Sequence, residues 1–316
     1  MLNYHLIIFI FMLINKCLTN EWDYSAHGPD VWGETFSSCN GERQSPINIK
    51  TACTVYKSFD PFIFTPEHIE ENHFLIQNNG HTITVESNNT KLAIQGGNLN
   101  GTFYFSNLHL HWGPNHNTGS EHQINGNKFS GESHFVYKNP LTDETVVLSF
   151  LMQTQMDEDI PLNSKHSFFN ATDETKWMKY FDVAQRLRRE NDSRRINLTL
   201  ASLMGNNLND YWRYFGSLTI PPCTENVIWN IFRSPVFILD YEFDSFRHDL
   251  FFESFRGPQT LFYRNIYRSF LNETLSTNPD QICCNQPISN GISTLFNRNI
   301  YFIYLFLSKI LIDSMK

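Results

Sequence analysis

Asn107 to Tyr137 reads NLHLHWGPNHNTGSEHQINGNKFSGESHFVY. Leu108 and Leu110 alternate with His109 and His111. On a strand, residues two apart share a face. The leucines then enter a core, and the two imidazoles stand together on the other side. His134 follows after enough chain for a turn and a return strand. There Glu132 and His134 share one face, Phe135 and Tyr137 the other. Three neutral imidazoles converging on one point suit zinc, and a catalytic zinc keeps three protein ligands and an open fourth position for water.

Around this stretch the chain reads as strands. FLIQNN, HTITVES, GTFYFSNLHLHW, SHFVYK and ETVVLSFLMQT are short, rich in β-branched and aromatic residues, and separated by Gly, Asn or Pro. One helix is expected from Glu174 to Arg189, with Trp177, Phe181, Ala184 and Leu187 on one stripe. Pattern alone gives a large, mixed, strand-rich domain. The net charge of −8 argues against a nucleic-acid-binding surface. Arg186, Arg188, Arg189, Arg194 and Arg195 are interrupted by Glu190 and Asp192, and read as a solvated helix end.

The termini differ from the middle. Residues 1–20 hold an apolar run, Leu6 to Ile14, too short to span a bilayer and suited to a secretory signal peptide cleaved near Thr19 or Asn20. Residues 21–275 form the expected catalytic domain and 276–291 a linker. In the linker the small residues Ser289, Asn290 and Gly291 precede a hydrophobic tail, 292–316. That layout matches a glycosylphosphatidylinositol attachment signal. A short membrane helix and plain secretion remain open alternatives, because Lys309 interrupts the tail. Six sequons, at Asn88, Asn100, Asn170, Asn191, Asn197 and Asn272, are candidate glycosylation sites on a chain that enters the secretory pathway.

The stretch LHLHWG, then GSEH, then GESH resembles the α-class carbonic anhydrases. So do WDYSAHGPDVW, RQSPINI, NNGH and DYWRYFGSLTIPPCTE. The resemblance runs from about Trp22 to about Leu271. It implies a mainly β (α+β) single domain with a large, twisted, mostly antiparallel sheet of about ten strands and short surface helices. It implies a zinc enzyme at the cell exterior hydrating CO2 to bicarbonate, open to sulfonamide inhibitors, with His109, His111 and His134 as metal ligands. Glu132 matches the residue that bonds the third ligand. Asn107 stands where the family usually has Gln; being one methylene shorter, it is expected to reach His109 at longer range or through water. Thr219 matches the hydroxyl that orients the attacking oxygen, Glu121 the carboxylate that orients Thr219, and His81 the proton shuttle. Tyr24, Asn79 and Thr84 match a polar wall. Val136, Val147, Leu218, Val227 and Trp229 match an apolar wall where CO2 sits. Ile220 replaces a common Thr and adds bulk beside Thr219. Cysteines matching Cys39 and Cys223 form a disulfide in secreted relatives, so that pair is expected. Cys53 is expected to pair with Cys283 or Cys284.

Two other readings remain beside the enzyme. A catalytically silent binding or adhesion domain of the same family would typically lack a zinc histidine, and all three are present. A purely structural zinc is usually four-coordinate and often uses Cys, and 109–134 contains none.

Overall fold

The strand carrying His109 and His111 spans Phe103–Trp112 and lies inside a sheet that is twelve-stranded among the described residues. The structure is a computed structural model that describes residues 22–155, 174–239, 241–250 and 253–271. In chain order the strands are β1 (Asn48–Ile49), β2 (Val55–Tyr56), β3 (Phe62–Phe64), β4 (Asn72–Asn78), β5 (Ile83–Glu86), β6 (Ala93–Gly96) and β7 (Phe103–Trp112). They continue with β8 (Gln123–Ile124), β9 (Gly131–Lys138), β10 (Thr145–Gln155), β11 (Ser193–Leu198), β12 (Tyr211–Gly216), β13 (Val227–Leu239) and β14 (Tyr267–Arg268). The main sheet runs β11-β4-β5-β7-β9-β10-β13-β12-β14-β2, with β6 also on β7 and β3 on β6. Its pairs are antiparallel except β10 with β13 and β14 with β2. The short β1 and β8 form a separate parallel pair.

Each face of the sheet buries its own core. Leu108, Leu110, Phe135, Tyr137 and Leu148 join one cluster, together with Trp177 and Phe181 from the helix Glu174–Ala184. Val136, Val147, Val227 and Trp229 join another with Ile47 and Ile49. The period-2 alternation on β7 and β9 therefore separates core side chains from site side chains, as the strand geometry requires. The helix is shorter than the sequence stripe suggests. It stops at Ala184, and the next turn tightens to i→i+3 bonds, with Arg186 N–H donating to Val183 O and Leu187 N–H to Ala184 O. Leu187 stays buried through that tighter turn, so the apolar stripe outlasts the helix.

Cys39 and Cys223 are joined by a disulfide across 184 residues of sequence. Arg256 donates to the carbonyl of Cys39, and Gln44 donates to that of Cys223. Cys53 is also disulfide-bonded; its two expected partners lie outside the described residues. A closed loop of that length constrains the unfolded chain by about 5 kcal/mol in the chain-entropy model. Cys39→Ser/Cys223→Ser is accordingly expected to lower unfolding free energy by about 2–5 kcal/mol. Denaturant melts of the two proteins side by side check this; coincident midpoints would refute it.

Candidate metal centre

β7 and β9 pair with His109 opposite His134 and His111 opposite Glu132. The register brings three ring nitrogens together at the floor of a cavity. His111 Nε2 lies 3.1 Å from His134 Nδ1, which lies 3.3 Å from His109 Nε2. These are not mutual hydrogen bonds, because the other nitrogen of each ring is already committed as a donor. His109 Nδ1–H donates to Asn107 Oδ1 at 2.7 Å, His111 Nδ1–H to the Ser254 carbonyl at 2.5 Å, and His134 Nε2–H to Glu132 Oε1 at 2.8 Å. In neutral imidazoles the converging nitrogens then carry lone pairs only. Burial drives the proton affinity of all three down, with His111 lowered to about 3. Neighbouring imidazoles deepen the effect at His109 and His111, while Glu132 opposes it.

Three lone pairs aimed at one point repel unless a cation lies between them. Glu121 Oε2 strengthens the case: it is buried without a hydrogen-bond partner among the described residues, 3.4 Å from His111 Nε2. Its carboxyl is pushed up to about 8, first by burial and then by Glu132, against the Arg256 N–H and the Thr219 hydroxyl. A dication nearby reverses that balance. Neutral nitrogen donors in this number fit zinc. The second histidine–carboxylate group, His122, Glu132 and His134, is of another kind. Glu132 accepts from both rings, at 2.7 and 2.8 Å, and from Ser149 at 2.5 Å. The N–H groups of Glu121 and His122 fill its other oxygen. That carboxylate is saturated, and it acts by fixing rings.

Residues 27–270 match the model of the eukaryotic-type carbonic anhydrases. The chain belongs to that family. It is 30% identical to mouse carbonic anhydrase 7 over 274 residues, covering 79% of this chain and 97% of that one. Human carbonic anhydrase 7 is 28% identical over the same shares. Human carbonic anhydrase 3 is 29% identical over 69% of this chain and 83% of its own length. The histidine cluster is thus the candidate metal centre of a carbonic anhydrase.

The other residues singled out in the sequence surround this centre. Tyr24, Asn79, His81, Thr84, Val136, Val147, Leu218, Thr219, Ile220 and Trp229 all line the cavity. Val227 does not line it. It is buried in the same cluster as Val136, Val147 and Trp229, at the start of β13, two residues before Trp229 on the strand and opposite Thr145. Asn107 also differs from expectation: it contacts His109 directly. The two are two apart on one strand face, starting about 7 Å apart, so the shorter amide still reaches. His81 is half-buried and stacks on Trp22, with centroids 3.7 Å apart and planes at 7°. Burial lowers its proton affinity, while Glu190 and Asp23 pull the other way.

Several contributors had no assigned role in the sequence. The Ser254 carbonyl leaves no mark there, since any residue supplies one. His122 lies in GSEH but carries no chemistry by spacing; it links Glu132 to Tyr214, whose hydroxyl donates to Ser45. Of the sequon asparagines, Asn88, Asn100 and Asn191 are exposed. Asn197 is half-buried on β11 and accepts from His73. Asn170, Asn272 and the tail residues Ser289, Asn290 and Gly291 lie outside the described residues.

Proposed function

We propose that this chain is an extracellular zinc enzyme that interconverts CO2 with bicarbonate and a proton. The observation that carries this reading is the convergence of three donor-locked imidazoles beside a buried carboxylate, one of whose oxygens has no hydrogen-bond partner among the described residues, in a cavity with apolar lining. His109, His111 and His134 would hold the metal. Bound zinc supplies Lewis acidity that makes water nucleophilic near neutral pH.

The protein's own groups do the rest. Asn107, Ser254 and Glu132 fix ring orientation and keep the three ligand nitrogens deprotonated. Glu121, once ionised, only accepts hydrogen bonds. Thr219, held in the turn beside it, donates to Glu121 and turns its lone pairs to the cavity, where it accepts from the attacking oxygen and aims it. Val136, Val147, Leu218 and Trp229 form a dry wall against which CO2 packs without displacing ordered water. Ile220 narrows the space beside Thr219. His81, neutral at neutral pH, takes the released proton at the cavity side and passes it to buffer.

Residues 1–20 would direct export, and the segment around 289–291 would take a lipid anchor. The disulfide between Cys39 and Cys223 supports an oxidising compartment. No helix among the described residues is long and apolar enough to cross a membrane.

Stopped-flow CO2 hydration on the purified zinc-loaded protein tests the activity. Fast hydration is expected, lost on chelation with dipicolinate and restored by adding zinc back. A protein that holds zinc yet hydrates CO2 no faster than buffer would refute the proposal.

A further inference from the structure

Strand β9 continues outward from the metal centre. His134, Val136 and Lys138 alternate on one face, and all three line the cavity. Lys138 lies four residues from the ligand, about 13 Å along the strand, at the mouth, where it pairs with Tyr104 and is exposed. Among the described residues it is the only lysine or arginine that lines the cavity. No carboxylate of the described residues is within ion-pair distance of it. Glu86, the only acidic residue in the lining among the described residues, sits one row deeper, opposite Asn107. On its outer side Lys138 borders a groove with Tyr104, Asn139 and Asp143. The whole chain carries a net charge of −8, so its average field repels anions.

An unpaired cation at the neck of a cavity, on a protein that otherwise repels anions, has a direct consequence for a reaction with one neutral and one anionic partner. CO2 feels no charge at the mouth; bicarbonate does. A lysine stem lies along apolar surface while its ammonium swings between cavity and solvent. We propose that Lys138 is the anion-selecting residue of the cavity mouth, receiving bicarbonate and, equally, the carboxylate tail of a ligand anchored on the cavity floor. This rests on the zinc reading above and extends it from the floor to the entrance. Glu86 acts in the opposite sense, so the pair sets the anion preference between them.

The test uses two arylsulfonamides that differ in one charge: 4-carboxybenzenesulfonamide and its neutral methyl ester. Their dissociation constants are measured on the zinc-loaded protein, and the ratio ester to acid reports the mouth. Lys138→Met is expected to lower this ratio roughly three- to tenfold, with most of the change screened away in high salt. Lys138→Arg retains it, and Glu86→Gln raises it. Product inhibition of hydration by bicarbonate follows the same order. A merely structural Lys138 would shift both ligands together and leave the ratio alone. An unchanged ratio in Lys138→Met, with both ligands still bound, overturns this proposal and leaves the zinc reading intact. Failure of both ligands to bind the wild type overturns the zinc reading and this proposal with it.

Discussion

His134→Ala abolishes both metal retention and CO2 hydration: that is the largest effect expected of any single substitution in this chain. Alanine removes one of three converging nitrogens and also the ring that Glu132 holds at 2.8 Å. Two imidazoles from one strand remain, on His109 and His111, and two ligands do not hold a catalytic zinc against dilution. Zinc per chain after dialysis should fall from about one to near zero, with hydration at the buffer rate. Circular dichroism separates this from unfolding. Glu132→Gln gives the graded companion. Its amide oxygen can still accept from His134, His122 and Ser149, which share one carboxylate oxygen, but its NH2 cannot accept from the two backbone N–H groups that fill the other. Metal affinity should drop by roughly 10–100-fold. A His134→Ala protein that keeps both zinc and activity would remove the ligand assignment.

Thr219→Ala carries the second largest effect, and it leaves the metal in place. Thr219 bonds Glu121 through its hydroxyl, lines the cavity, is 4% exposed as a residue, and sits in a turn closed by Leu218 N–H to Thr224 O. Without it the attacking oxygen keeps its activation but loses its aim. Misplacing a reacting atom by about 1 Å costs on the order of 10²-fold, and kcat/KM for hydration should fall by about that much at unchanged zinc content. Thr219→Ser should recover most of it. Glu121→Gln reaches the same end by another route, since an amide can donate to Thr219 and turn the hydroxyl proton toward the cavity. The double substitution should cost little more than either single one, because both break one relay. Additive losses would mean that the two residues act independently.

The two largest predictions stand on groups of different legibility. Leu108, His109, Leu110 and His111 declare their faces through alternation alone. A strand has a period of two wherever it occurs, so the separation of core from site on β7 and β9 is a local property. The motif resemblance extended this to Glu121, Thr219 and His81, and to the pairing of Cys39 with Cys223, which the structure forms. The helix end was less legible. The stripe through Leu187 persists in a tightened turn, so burial periodicity overran the hydrogen-bond pattern. Asn107 departs from expectation for a similar reason: its short side chain suggests a longer reach, but residues two apart on one strand start close enough for direct contact.

Local pattern and motif are enough to place this chain among β-rich carbonic anhydrases, with three histidines on strand faces that are able to meet. Tertiary structure decided which nitrogens meet and in what protonation state. That choice depends on the β7–β9 register, which sets His109 against His134, and on acceptors that no local pattern encodes. Ser254, 143 residues beyond His111, locks its ring through a backbone carbonyl. Tertiary structure also left Val227 out of the cavity lining and brought Lys138 to the mouth with no acidic partner among the described residues. Periodicity is written in neighbours along the chain. Convergence, desolvation and unpaired charge arise only when distant segments exclude water from a shared space.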